Sequence, residues 1–192
     1  SASGHVKTMH KPLRVEETVI GGTYAALETN GAPSDAVALG LMGLAPEPVD
    51  LVVAGINAGA NLAQDVTYSG TVTAAIEGAI GEVPSIAVSL WEEPATQLDY
   101  GPAADFAAYL ARHVLQHGLP DRTLLNVNVP ALPGAEIEGV RVTRMGLRVY
   151  HDELVRREDH YGRPYHWIGG EPPSGVAEVG TDIEALAQGY IS

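Results

Sequence analysis

The sequence predicts an α/β fold of three layers, αβα, in which a Rossmann-like, mostly parallel sheet is covered by helices on both faces. A C-terminal β-hairpin arm for oligomerisation is expected to follow it. Apolar, β-branched runs typical of buried parallel strands alternate three times with segments of helical periodicity, which predicts the core. The tail from Tyr150 is rich in charge, histidine and tyrosine and lacks helical periodicity, which predicts the arm.

The N-terminal elements are weakly marked. Residues 18–24 predict a short extended segment, and residues 30–35 form a cluster of turn-forming side chains. Ser34 or Asp35 is expected to cap a helix that ends before Pro46. The apolar positions with helical spacing in this helix are Val37, Leu41 and Leu44.

The central elements are clearer. Three buried strands are expected, at residues 49–56, 85–90 and 124–129. Two helices are expected between them, with apolar stripes over residues 72–80 and 103–114. Residues 139–144 alternate apolar and polar side chains, which predicts a fourth strand.

The C-terminal part predicts a hairpin and a return to the core. Residues 163–169 are expected to form one side of the hairpin, Thr181 to cap a helix over 182–188, and residues 190–192 to begin a strand. Tyrosine, tryptophan and arginine are common in subunit contacts. We therefore expect residues 1–149 to form an α/β catalytic core, and residues 150–192 to form an arm that builds a homo-oligomer, either a dimer or a tetramer.

Composition excludes several classes of function. The 192 residues carry a formal net charge of −13, and a surface this acidic repels a polyanion, so wrapping of nucleic acid is not expected. No apolar run approaches the roughly 18 residues of a membrane span. The absence of cysteine excludes disulfides, thiolate metal sites and a cysteine nucleophile, and it suits a cytoplasmic location.

The stretch most informative for chemistry follows the first buried strand. Ligands of open α/β sheets bind beyond the carboxyl ends of strands, and the glycine-rich loop of residues 57–70 lies at such an end. This loop is longer than the ~2–6 residues that are usual between a strand and a helix. Its length favours a functional role.

The end of this loop has the features of an anion site. Ser69, Gly70 and Thr71 lead into a helix, whose first N–H groups lack partners and whose dipole is positive at that end. Gly70 has no Cβ, so a phosphate can approach the backbone. The hydroxyl groups of Ser69, Thr71 and Thr73 can donate hydrogen bonds to phosphate oxygens.

The pattern alone leaves alternatives open. Ser69 can be a plain helix cap without a ligand, and the loop of residues 57–73 can belong to a phosphate- or nucleotide-binding module that has no catalytic activity. The chain has no P-loop lysine motif, dinucleotide fingerprint, nucleophile elbow or His-Glu-x-x-His zinc motif. His113 and His117 lie four residues apart, but such a pair is more typical of a solvated helix C-terminus than of a metal site.

Six segments resemble, in order, the motifs of the SurE family. They are residues 54–62 (AGINAGANL), 68–78 (YSGTVTAAIEG), 84–89 (PSIAVS), 126–130 (NVNVP), 162–167 (GRPYHW) and the ending from 181 to 192. Members of that family are metal-dependent phosphatases that act on nucleoside monophosphates. The resemblance therefore implies a 5′-nucleotidase that hydrolyses nucleoside 5′- and 3′-monophosphates to nucleoside and phosphate.

The same resemblance implies roles for individual residues. The implied metal ligands are Ser1, from a loop of pattern Arg-Ser-x-x-Gly-His, and Asn57, through its side-chain carbonyl. The implied phosphate and substrate residues are Gly4, Thr8, Asn61, Ser69, Gly70, Thr71 and Thr73. The catalytic residues are expected to be His5, Ser69 and Thr71. Because an imidazole suits proton transfer near neutral pH, His5 is expected to donate a proton to the leaving alkoxide.

The implied cofactor is a divalent cation, Mg²⁺ or Mn²⁺, and Ca²⁺ in crystals is also compatible with oxygen ligands. It is expected to polarise the phosphoryl oxygens and to activate a bound water. In the family the cation is held mainly by two aspartates of an Asn-Asp-Asp-Gly turn, which this sequence lacks. Ser1 and Asn57 offer neutral oxygens only, so we expect the complete protein to carry a further βα unit and strand upstream.

Overall fold

The computed structural model describes residues 4–91 and 99–192. Its helices are α1 (Pro33–Leu39), α2 (Gly70–Ile80), α3 (Gly101–His117) and α4 (Asp182–Ala187). Its strands are β1 (Val15–Ile20), β2 (Tyr24–Thr29), β3 (Val52–Ala58), β4 (Ser85–Trp91), β5 (Leu124–Pro130), β6 (Gly139–Val140), β7 (Leu147–Glu158), β8 (Pro164–Val176) and β9 (Tyr190–Ile191).

The centre of the fold is a parallel sheet in the order β3-β4-β5. Side chains along β4 alternate between its two faces. Ile86, Val88 and Leu90 pack in the cluster that contains the buried residues of α3, whereas Ala87 packs against Val72 and Ala75 of α2. The sheet is therefore covered by a helix on each face, and the predicted three-layer α/β fold is confirmed.

The N-terminal segment differs from the sequence expectation. In place of one extended segment at residues 18–24, β1 and β2 form an antiparallel hairpin, in which Ile20 pairs with Tyr24. Gly21 and Gly22 form the turn with φ values of 59° and 71°, which glycine adopts without the steric penalty that a Cβ brings. The prediction was wrong here because this pair of glycines was not taken as a turn.

Helix α1 begins before both predicted caps, since its N-cap lies two residues before Ser34 and three before Asp35. Ala32 is the N-cap and Pro33 occupies the first turn, where its missing N–H leaves no helical hydrogen bond unmade. Asp35 acts from inside the first turn, where its carboxylate accepts a hydrogen bond from Ala32 N at 2.8 Å. The helix ends at Leu39 and a π turn follows over Gly40–Leu44.

The C-terminal part contains the expected hairpin and helix. Strands β7 and β8 pair antiparallel, and Thr181 caps α4 by accepting a hydrogen bond from Glu184 N. Of the strand predicted over residues 139–144, only Gly139–Val140 forms, because its partner β9 is itself two residues long. The division of the chain at residue 149 into core and arm stays a prediction. Among the described residues, no helix is long and apolar enough to cross a membrane.

The contact between α2 and the sheet generates a prediction about Gly78. A Cβ at this position would collide with Ser85 Oγ and would lie 2.9 Å from Val52 Cγ2. Alanine is the better helix former by about 1 kcal/mol. Nevertheless, we expect Gly78→Ala to lower the free energy of unfolding by about 1–3 kcal/mol, because the added methyl group overpacks the interface. Denaturant unfolding of both proteins measures this difference.

Gly40→Ala is the matched control. A Cβ at Gly40 meets no atom within 4 Å, and the backbone there has φ −58° and ψ −50°. This control is expected to leave stability unchanged or to raise it by up to about 1 kcal/mol. If Gly78→Ala were as stable as the parent protein, α2 would not pack as closely on β3 and β4 as described.

Candidate active site

Helix α2 starts with two N–H groups that have no partner in the described part of the chain. Ser69 is the N-cap, and its Oγ accepts a hydrogen bond from Val72 N at 3.1 Å. Thr73 N donates to Ser69 O, which is the first bond of the helix. Gly70 N and Thr71 N donate to no residue among 4–91 and 99–192. Free N–H groups at the positive end of a helix dipole are the arrangement in which helix N-termini bind anions.

The three hydroxyl groups predicted around this site differ in what they can still donate. The Ser69 hydroxyl accepts from Val72 N and so keeps its own proton, and the half-buried Thr71 hydroxyl makes no hydrogen bond within the described residues. Thr73 is 2% exposed, and its Oγ1 donates to Ser69 O at 2.8 Å. In this arrangement Thr73 directs its proton into the helix, unlike the phosphate donor that the sequence predicted.

Asn57 lies at the carboxyl end of β3, where the sequence predicted the ligand loop. Its Nδ2 donates to Gly59 O at 2.8 Å and to Ala58 O at 3.2 Å. These bonds leave Oδ1 as the side-chain atom available to a cation. The second predicted metal ligand, Ser1, lies outside the described residues.

The described residues do not by themselves fit a bound Mg²⁺ or Mn²⁺. Within 4–91 and 99–192 there is no group of three or more His, Asp or Glu side chains that could hold a metal ion. Hard divalent cations prefer several oxygen ligands, and carboxylates above all. The single neutral oxygen of Asn57 does not complete such a site.

Asn61, a predicted substrate residue, is buried in a network that holds the loop against the sheet. Its backbone N donates to Asn128 Oδ1 at 2.8 Å, and its backbone O accepts from the Nδ2 atoms of Asn126 and Asn128 at 2.9 and 3.1 Å. Its own Nδ2 donates to Ser89 Oγ at 2.6 Å. Ser89, Asn126 and Asn128, which hold Asn61, were not among the predicted site residues, although asparagines at alternate positions of an apolar strand were a visible signal.

The segment of residues 4–8 crosses the starts of α1 and α2. Gly4 N donates to Tyr68 O at 2.9 Å, which places Gly4 beside the residue that precedes Ser69. Thr8 N and Thr8 Oγ1 both donate to the Asp35 carboxylate, at 2.8 and 2.7 Å. The structure thus brings Gly4 to the turn before α2, and it binds Thr8 to α1.

Glu77 is a buried carboxylate on α2 that faces this segment. Its Oε2 lies 2.8 Å from His5 Nε2, and its Oε1 accepts from Lys7 Nζ at 3.2 Å. Burial raises the pKa of Glu77, but the hydrogen bonds from His5 and Lys7 outweigh burial, so the pKa is lowered overall. Glu77 is therefore a charged carboxylate near neutral pH.

The hairpin of β7 and β8 is hydrogen-bonded to the turn at Ala63–Thr67, which leads into the start of α2. Asp65 accepts hydrogen bonds from Arg148 Nε at 2.8 Å and from the Tyr150 hydroxyl at 2.6 Å. At the other side of the same turn, Ala63 N donates to the buried carboxylate of Asp182 at 2.7 Å. The loop before α2 is thus held by the β7–β8 hairpin and by helix α4.

Comparison with known proteins gives the family. The sequence model described as Survival protein SurE matches residues 1–152. The chain belongs to the SurE family. The resemblance inferred from the six motifs is therefore confirmed.

Curated SurE relatives match along the whole chain. The 5′-nucleotidase SurE of Gloeobacter violaceus is 50% identical over 194 residues, which cover 100% of this chain and 73% of that protein. The 5′-nucleotidase SurE of Moorella thermoacetica is 51% identical over 193 residues, covering 100% and 74%. The crystal structure of SurE protein from Aquifex aeolicus has a TM-score of 0.76 and 37% identity, with 98% of this chain and 75% of that chain covered.

The contact between the hairpin and the turn before α2 generates a prediction about Tyr150. The hydrogen bond to Asp65, together with partial burial, raises the pKa of Tyr150 to about 12 from an ordinary value of 10.0. We expect the difference between the phenolate absorbance titrations of the parent protein and of Tyr150→Phe to show one tyrosine that ionises near pH 12. Since the folded pKa is raised, this contact stabilises the fold below pH 10 and is lost as the pH rises through 12.

Asp65→Asn serves as the control for the cause of this shift. The substitution removes the anionic acceptor, so the titration of Tyr150 is expected to move back towards 10. A midpoint near 10 for Tyr150 in the parent protein would contradict the described contact between hairpin and turn.

Proposed function

We propose that this chain binds nucleoside 5′-monophosphates and takes part in their hydrolysis to nucleoside and phosphate. The proposed activity is that of a phosphatase of the 5′-nucleotidase class. The observation that carries the proposal is the pair of N–H groups at Gly70 and Thr71 that have no partner among the described residues. The names of the curated relatives, 5′-nucleotidase SurE at 45–51% identity, support the reaction class.

The phosphoryl group is expected to lie at the start of α2. Gly70 N and Thr71 N donate to its oxygens, and the hydroxyl groups of Thr71 and Ser69 add further donors. Donors fixed in place before the reaction stabilise the charge that develops on the oxygens of the transferring group. They also offset locally the repulsion that a net charge of −13 exerts on an anion.

The leaving nucleoside oxygen needs a proton as its bond to phosphorus breaks. A water molecule supplies the oxygen that joins phosphorus, and His5 supplies the proton to the ribose oxygen. His5 is suited to this role because its neighbour Gly4 is hydrogen-bonded to Tyr68 O, at the turn where the phosphate binds.

Metal dependence and activity on nucleoside 3′-monophosphates rest on the family resemblance, and a cytoplasmic location rests on the absence of cysteine. We propose that turnover requires Mg²⁺ or Mn²⁺ with Asn57 as one ligand, that nucleoside 3′-monophosphates are also substrates, and that the protein works in the cytoplasm. Asn57 Oδ1 supports the ligand role, because the amide nitrogen is already bound to the loop. The remaining ligands are not among the described residues.

The hairpin of β7 and β8 supports assembly into a homo-oligomer. A two-stranded hairpin is marginally stable by itself in water. This one exposes large apolar side chains on both of its faces: Leu154 and Ile168 on one, and Trp167 on the other. We propose that a second copy of the chain covers them.

The proposed reaction is tested by phosphate release. With a nucleoside 5′-monophosphate as substrate, we expect inorganic phosphate to appear when Mg²⁺ or Mn²⁺ is added, and to stop appearing when a chelator is in excess. A colorimetric phosphate assay measures both conditions, and restoring the cation is the control for irreversible damage. Tight binding of the nucleotide without any phosphate release in either condition would contradict the proposed hydrolysis.

A further inference from the structure

We infer that Glu77 is a positioning residue for His5. Its carboxylate holds the Nε2 end of the imidazole, so that Nδ1 is the nitrogen that gives the proton to the leaving oxygen. This inference rests on the proposed function, because it describes how the same site orients its proton donor.

The burial of Glu77 requires an explanation. Its side chain is 9% exposed, and a carboxylate that is removed from water costs several kcal/mol unless it is paired and hydrogen-bonded. Both of its oxygens have partners, and both partners come from the segment of residues 4–8. Glu77 is therefore placed on α2 to hold this segment, and the segment is the part of the chain that carries His5.

The geometry of the imidazole determines which ring nitrogen remains available for proton transfer. Nε2 is at the end of the ring far from the backbone, and it lies 2.8 Å from the Glu77 carboxylate. A carboxylate accepts a hydrogen bond only, so Nε2 carries the hydrogen in both the neutral and the charged ring. Nδ1 then accepts a proton from solvent and passes it on, as the second nitrogen does in other carboxylate–histidine pairs.

The position of Nδ1 agrees with this role. Nδ1 is the ring nitrogen nearer to the backbone, and no hydrogen bond within the described residues occupies it. Gly4 is hydrogen-bonded to the turn before α2, since its N donates to Tyr68 O at 2.9 Å. The His5 side chain is 35% exposed, so the ring is open to a substrate, whereas the carboxylate that holds it is enclosed.

Lys7 provides a matched control because it contacts the same carboxylate from the other side. Its Nζ lies 3.2 Å from Glu77 Oε1, and its side chain is 59% exposed. Lys7→Met removes the positive charge beside Glu77 and leaves the contact between Glu77 and His5 in place. A difference between variants of Glu77 and Lys7 therefore reports on the imidazole and not on the charge of the carboxylate alone.

The experiment compares two substrates whose leaving groups differ in their need for a proton. A nucleoside 5′-monophosphate releases a basic alkoxide, whereas p-nitrophenyl phosphate releases a stable phenolate. We expect Glu77→Gln to lower kcat about 10- to 100-fold for the nucleotide, and less than about threefold for p-nitrophenyl phosphate, because only the alkoxide needs the proton from His5. Lys7→Met is expected to change neither rate more than about threefold.

A double variant tests whether the two residues act as a unit. His5→Gln is expected to show the same selective loss as Glu77→Gln, and His5→Gln with Glu77→Gln to lose no more than His5→Gln alone. Equal losses for both substrates in Glu77→Gln, or losses that multiply in the double variant, would overturn the inference and leave Glu77 a structural residue. A parent protein that releases phosphate from neither substrate would instead refute the proposed function.

A measurement on the unaltered protein tests the inference without requiring any substituted protein to fold. The ¹⁵N chemical shifts of His5 at a pH where its ring is neutral distinguish the two tautomers. The inference requires the hydrogen on Nε2, towards Glu77. A neutral ring with its hydrogen on Nδ1 would overturn it, whatever the stability of the substituted proteins.

Discussion

Two backbone N–H groups at the start of α2, those of Gly70 and Thr71, are left without a partner by the described part of the chain. Backbone N–H groups in folded proteins are almost always paired with protein or with water. Here they face the end of a loop that the rest of the fold holds in place. The site depends on this arrangement, because a helix N-terminus binds an anion only where nothing else satisfies its first N–H groups.

Four buried polar side chains hold the segments that surround this turn. Asp35 accepts two hydrogen bonds from Thr8, Glu77 binds His5 and Lys7, Asp182 accepts from Ala63 N, and Asn128 binds the backbone of Asn61. A buried polar side chain fixes the position of its partner, because a displaced partner leaves a buried polar group without a hydrogen bond. The loops of the site are therefore positioned before a ligand arrives, which is the condition for electrostatic catalysis.

The charges of the buried carboxylates Asp35 and Glu77 make the stability of this region depend on pH. Burial raises the pKa of Asp35, but its hydrogen bonds with Thr8 and Ala32 outweigh burial, so the pKa of Asp35 is lowered, like that of Glu77. A carboxylate whose pKa is depressed by folding stabilises the fold above its ordinary value, which is 3.8 for Asp and 4.5 for Glu, and loses this contribution as the pH falls through the folded value. The segment of residues 4–8 is accordingly fixed at neutral pH and loosened by acid.

Features that depend on neighbouring residues could be predicted from the sequence, whereas features that depend on long-range contacts could not. The three parallel strands, the start of α2 at Ser69 and the cap of α4 at Thr181 follow from local periodicity and capping chemistry, and they were predicted. The pairing of His5 with Glu77 spans 72 residues, and the binding of Asn61 by Asn128 spans 67. Both pairings depend on how strands and helices pack, which no local pattern encodes. The Thr73 hydroxyl bonds back to Ser69 O within the helix, a local contact that competes with its predicted role as a phosphate donor.

A crystal structure of the protein with inorganic phosphate tests the central claim most directly. We expect phosphate density at the start of α2, with oxygens about 3 Å from Gly70 N and Thr71 N. Phosphate bound elsewhere on the protein, with these two N–H groups paired to protein atoms, would contradict it.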